Sequence, residues 1–360
     1  MRPWRSLVTL CDMTNSLRNV NLPRRPRLVP GLDVLERRAN EIQIGLDPRH
    51  AVVATDLPPI LMDILRGLDG SKSTKSLLSL AETEHSERLR ELLTGLAERG
   101  LIEEAEPPAH PHTRTDEPEL WSLSLGRRRQ DTAARRAQST VLVHGGGRLA
   151  AAISSLLASA GVGHLDSEAD GRVGPEDLGS GFVDGDVGLP RRHALTEAVR
   201  RTNPATRTGK LRGSRRPDLV VLTDAVVPAP EVVTDLIAEG LPHLTVRVRD
   251  GIGIVGPLVF PGRSSCLRCA DLRRTALDAC WPRVASQLAG RYQRAELGNV
   301  YATAALAVGQ ILRVLTPEDT PPPTWNGTLE IDSYAGTVTH RDWHPHPECP
   351  CGASRGRREP

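Results

Sequence analysis

Apolar residues recur along the chain in two rhythms. From Val34 to Thr55 the short runs VLERR, EIQIG and AVVATD alternate with turn formers such as Asp47-Pro48, which predicts a small three-stranded meander. Helical spacing follows. Pro59 opens PILMDIL, and in SERLRELLTGLAE the residues Leu89, Leu92, Leu93 and Leu96 fall on one stripe. The stripe stops at Arg99-Gly100, and Leu101-Ile102-Glu103 reads as a short strand behind it.

Beyond Ser139 the rhythm changes. VLVHGGGRLAAAISSLLASAGVG, residues 141–163, is an apolar strand, a glycine turn and a helix whose Leu149, Ile153, Leu156, Leu157 and Ala160 share a face. Asp218-Leu-Val-Val-Leu-Thr-Asp224 is continuously apolar between its acids, as strands covered on both faces are. A helix from Pro230 to Gly240, a strand at Leu244–Val248 and a helix over Asn299–Leu315 come next. A hairpin of Thr328–Asp332 and Thr337–Trp343, turned at Ala335-Gly336, closes the series. Alternating strands and helices predict an α/β domain, doubly wound with a mostly parallel sheet, that binds ligands at the carboxyl ends of its strands. The expected organisation is a tail at 1–27, a small α+β winged-helix domain at 28–105, a polar linker at 106–138, the α/β domain at 139–352 and a tail at 353–360.

Composition narrows the partners. In a chain of 360 residues the formal net charge is +2. Its one short basic run, Arg127–Arg129, gives no electrostatic footprint for nucleic acid. No stretch of about 18 apolar residues occurs, so neither a membrane partner nor secretion is expected, and a cytoplasmic location is. Lysine stands only at 72, 75 and 210, a bias that speaks of genome composition rather than function.

The cysteines carry the sharpest chemistry. Cys266 and Cys269 form a CxxC, and far downstream Cys349 and Cys351 form a CxC. Two close pairs far apart in sequence are the pattern of a tetrahedral structural zinc site that would tie the C-terminal hairpin to the sheet. Two buried thiols or a redox CxxC are the competing readings. His344 and His346 are spare ligands of the right type. Cys280 reads as a buried or incidental thiol.

The string VLVHGGGRLAAAISSLLASAGVG resembles the nucleotide-binding turn of the ThiF/MoeB/ubiquitin-activating-enzyme superfamily. The same order continues with Asn203-Pro204, Leu222-Thr-Asp224, Gly256-Pro257 leading to Cys266 and Cys269, GNVYATAALAVGQIL, and the hairpin into HPECPCG. The resemblance spans about residues 139–352. It implies that the turn at Gly145, Gly146, Gly147, Arg148 and Leu149 holds ATP phosphates, with Asp170 near the ribose. It also implies that Asp224 binds magnesium and that Arg191 stands in for a phosphate-binding lysine while a carboxylate becomes an acyl-adenylate. Departures accompany it. Asp177-Leu-Gly-Ser-Gly181 stands where the family reads Asn-Leu-Asn-Arg-Gln, and Arg148 and Ala150 replace glycines. An arginine beside the phosphate path would be an extra ligand or a plug.

The N-terminal domain admits two partners by fold: duplex DNA, as in winged-helix regulators, or an extended peptide. It is similar to PqqD-like domains that receive a leader peptide as an added strand, and acidic Glu98, Glu103, Glu104 and Glu106 disfavour DNA. Taken together, the resemblance implies a ThiF-like leader-peptide-binding protein with a degenerate adenylation site that serves a cyclodehydratase partner. The alternative is an active adenylyltransferase acting on the C-terminus of a peptide or small carrier protein. A homodimer is implied by the resemblance alone.

Overall fold

The computed structural model describes residues 8–9, 21–48, 51–105, 121, 132–211, 215–292, 294–316 and 320–354. Most of the expected tail at 1–27, of the linker at 106–138 and of the last residues lies outside these. The chain divides into two compact units, Met1–Asp131 and Thr132–Pro360.

In the first unit β1 (Val8–Thr9), β5 (Val52–Ala54), β4 (Glu41–Ile44) and β3 (Val34–Arg38) form one sheet in that order. The expected meander is its antiparallel part: Val34 pairs with Ile44, and Ile42 with Ala54. Val8–Thr9, from the segment read as a tail, pair parallel with Val52–Val53. A second sheet joins β2 (Pro26–Leu28) to β6 (Ile102–Glu104). Helices Pro59–Arg66, Thr74–Leu80 and Glu82–Glu98 pack Leu61, Leu65, Leu77, Leu89, Leu92, Leu93 and Leu96 against Ile42, Ile44 and Val52. The leucine stripe read from the sequence is this core.

The second unit is α/β with one eight-stranded sheet. Its order is β14 (Thr337–Asp342), β13 (Gly327–Asp332), β12 (Ile252–Val259), β11 (His243–Arg249), β10 (Leu219–Thr223), β7 (Thr140–His144), β8 (His164–Glu168) and β9 (Arg207–Thr208). The five strands from β11 to β9 are parallel, and β12 to β14 run antiparallel. Every residue of β10 is buried, as its continuous apolar run requires. Helix Arg148–Ser159 lays Ala150, Ala151, Ala152 and Ile153 into the interior. Small side chains there let helix and sheet approach closely.

β12 has no counterpart in the sequence reading, because Gly253, Gly256 and Pro257 break its apolar run. Pro257 falls where the pairing of β11 with β12 slips, between Leu244 and Val246, one of the few places a sheet tolerates proline. Gly253 lies under helix Leu297–Leu315: a Cβ there would sit 1.9 Å from Thr303 Oγ1. Among the described residues no helix is long and apolar enough to cross a membrane.

Candidate functional site

Strands β8, β7 and β10 end side by side, and the glycine turn leaves β7 at their carboxyl edge. Gly145, at φ +133, donates its N–H to Glu168 O at 2.9 Å. A Cβ at Gly145 would meet Thr223 Oγ1 at 2.1 Å, so both conformation and space demand glycine. Gly147 then caps helix Arg148–Ser159, whose first amides make an anion site by geometry and dipole.

That anion is supplied by the chain itself. Asp224, in a left-handed conformation (φ 68) just past β10, accepts the Gly147 N–H at 2.8 Å and the Thr223 hydroxyl at 2.8 Å. The Leu149 amide faces the same carboxylate, while the Leu149 side chain is core. Burial pushes the Asp224 carboxyl above its ordinary range, and the Gly147 and Thr223 hydrogen bonds oppose the shift. Over Gly147 lies Tyr292: a Cβ on this glycine would fall 2.4 Å from Tyr292 Cε2. Tyr292 belongs to a segment paired to the end of β10, with Val226 N–H donating to Arg291 O and Gly290 N–H to Val227 O. Burial first, then the nearby charges of Asp224 and Asp177, push its phenol up to about 12.

Arg191 opens helix Arg191–Thr202 and uses all its nitrogens internally. It donates to Gly146 O at 2.9 Å, Arg172 O at 3.0 Å and Asp177 Oδ2 at 2.7 Å, and its guanidinium stands 5.8 Å from the Tyr292 ring. Asp177 is fully buried and also accepts the Gly174 N–H at 2.9 Å. Arg148 lies outside the lining of the cavity beside the turn. Its side chain turns to Leu178 O at 3.1 Å and Ala295 O at 3.0 Å, tethering the helix to two loops.

A cavity of about 500 Å³ opens beside this network. Asp224, Arg191, Gly145, Gly146 and exposed Asp170 line it, with Tyr292, Arg172, Glu176 and Arg294. Gly147, Arg148 and Leu149 are not among the lining residues. Two participants escaped the sequence reading. Asp177 stood at a position noted only for a missing asparagine, and Tyr292 carries no motif at all.

The four cysteines converge as their spacing predicts. Cys266 and Cys269, at the start of helix Leu267–Leu277, meet Cys349 and Cys351 beyond β14, with all four sulfurs within 4.8 Å of one another. The contacts are 3.8 Å for Cys266–Cys269 and 3.6 Å for both Cys266–Cys349 and Cys269–Cys351. Tetrahedral bonds of about 2.3 Å set sulfurs about 3.8 Å apart, so the donor set fits a bound metal ion. The Cys266 thiol, hydrogen-bonded to Cys269, holds Cys269 down to about 4, whereas that same bond and burial push Cys266 up and burial raises Cys349 to about 11. A dication would deprotonate the remaining thiols. His346 Nδ1 accepts the Glu348 N–H, so among the described residues the cluster is the four cysteines alone. Cys280 is exposed, not buried.

Searched against protein-family models the sequence matches none, and no curated protein matches it. Solved structures share its fold. MccB of E. coli aligns at a TM-score of 0.64 with 16% identity, over 92% of this chain and 97% of that one. The microcin C7 biosynthetic enzyme MccB in complex with N-formylated MccA gives 0.63 at 15% identity, covering 91% and 99%. PaaA gives 0.61 at 16%, covering 87% and 98%.

Proposed function

We propose that this chain is a peptide-binding protein that captures an extended leader segment on its first unit and presents it for ATP-dependent modification by a partner such as a cyclodehydratase. The reading is supported by the contacts around the turn. The Gly147 amide is bonded to the Asp224 carboxylate and covered by Tyr292, and Arg191, the one cation aligned with a phosphate-binding lysine, is tied to Asp177. Repulsion between Asp224 and an incoming phosphate opposes nucleotide binding at that amide. The pairing of Val8–Thr9 with β5 supports strand addition as the mode of capture. MccB has been solved with MccA and with ATP, which supports a peptide as the class of partner. In the same reading the four cysteines hold a structural zinc.

The cavity itself favours a second reading. Some 500 Å³ flanked by exposed Arg172 and Arg294 is room enough for a small ligand, as an adenylyltransferase with magnesium on Asp224 would need. Pyrophosphate–ATP exchange separates the two, being absent in the first and lost on Asp224→Ala in the second.

A fluorescein-labelled MccA peptide, the ligand of the similar MccB fold, tests the first reading by fluorescence anisotropy. Binding is expected with the full chain and should disappear when residues 28–105 are removed. Binding that survives the deletion contradicts the role given to the first unit.

A further inference from the structure

The sheet of the first unit runs β1-β5-β4-β3, so an added strand has two places to join it: outside β3, or along β5 where β1 now lies. The β3 side is defended. Glu36, Arg37 and Arg38 are charged and exposed along it, with Arg37 paired to Glu41 at 3.2 Å and Glu36 to Arg66 at 2.7 Å. Its pairing with β4 also slips between Glu36 and Arg38. Charged side chains and irregular pairing are two of the devices by which an edge strand refuses a newcomer.

β5 carries neither device. Val52, Val53 and Ala54 are all buried, and their pairing with β4 is regular from Ile42–Ala54 to Ile44–Val52. Val52 and Ala54 share the core face with Ile42 and Ile44. The chain's own Val8–Thr9 lies along this edge in parallel register, Val8 opposite Val52 and Thr9 opposite Val53, and the pairing stops short of Ala54. A strand of two residues is much shorter than the usual five or six and makes few main-chain bonds. Covalent attachment keeps it at high effective concentration, so a weak pairing still holds the edge.

We infer that Val8–Thr9 is a resident strand that occupies the receiving edge of β5 and is displaced when a captured peptide binds there. The inference rests on the peptide-capture reading above and adds to it the edge that is used and a competition for that edge. The competitor is an extended segment long enough to pair with all of β5. Its residues opposite Val52 and Ala54 fall on the core face, so apolar side chains at those alternate positions are favoured. Its apparent affinity is lowered in proportion to the fraction of chains whose edge is free.

Labelled peptides titrated into the full chain by anisotropy test this. The double variant Val8→Pro, Thr9→Pro removes both N–H groups of the resident strand and leaves every residue of the core cluster in place. The MccA peptide is expected to bind it at least about tenfold more tightly than the wild type, the gain when the edge is free in no more than about a tenth of wild-type chains. Equal affinity for the two proteins overturns the inference. The second probe is a labelled peptide of this chain's own residues 1–20, kept reduced. It should bind the double variant at least about tenfold more tightly than the wild type, and the same peptide carrying Val8→Pro and Thr9→Pro should bind neither. If the unaltered peptide binds both proteins equally, or neither, the inference falls whatever MccA does. If it binds the variant alone while MccA binds neither protein, the resident strand stands and the capture reading falls. A double variant that no longer folds makes Val8–Thr9 part of the scaffold and equally overturns the inference.

Discussion

Replacing Cys266 with serine is expected to strip the metal from the second unit and lower its Tm by about 10–20 °C, the largest single effect in the molecule. Cys266 is 1% exposed and touches two of the other three sulfurs. A site of this kind joins helix Leu267–Leu277 to the chain beyond β14, so its binding free energy is folding free energy. In isolated zinc fingers that energy reaches about 10–16 kcal/mol. Here the eight-stranded sheet has a core of its own, and a loss on the order of 5 kcal/mol is expected, at about 2–4 °C per kcal/mol for a unit of this size. Metal analysis of the purified protein and circular dichroism melts check both halves. A metal-free wild-type protein with unchanged melting in Cys266→Ser would leave the cysteines as a buried thiol cluster.

Asp177→Ala comes second, at about 3–5 kcal/mol. Asp177 is fully buried and accepts from Arg191 Nη2 at 2.7 Å, while the Arg191 side chain is only 18% exposed. Removing the carboxylate strands a half-sequestered cation and frees the Gly174 N–H, which Asp177 also holds. Asp177→Asn, which keeps an acceptor oxygen, should lose less. Urea unfolding followed by fluorescence measures both. A loss under about 1 kcal/mol for Asp177→Ala, the scale of an exposed pair, would show that the clamp on Arg191 is not structural.

Local periodicity carried much of this fold. The leucine stripe 89–96, the buried run Leu219–Thr223 and the paired cysteines each follow from side chains a few residues apart. β12 did not, because its glycines and proline answer to neighbours distant in the chain: Thr303 above Gly253, and the slip in pairing at Pro257. The site divides in the same way. Glycines 145–147, Asp224 and Arg191 were legible from a local motif. Whether a turn is open or closed depends on what arrives from elsewhere, and here Tyr292 and Asp177 arrive from segments without a pattern. Arg148 shows the limit most clearly. Its place beside the glycines pointed to phosphate, but the carbonyls of Leu178 and Ala295 take its guanidinium instead.

In the proposed reading Asp224 and Tyr292 close the turn to nucleotide. Isothermal titration of the full chain with ATP and magnesium tests it most directly. No saturable heat is expected with the wild-type chain at millimolar nucleotide. Saturable binding by the wild type that disappears in Asp224→Ala would contradict it.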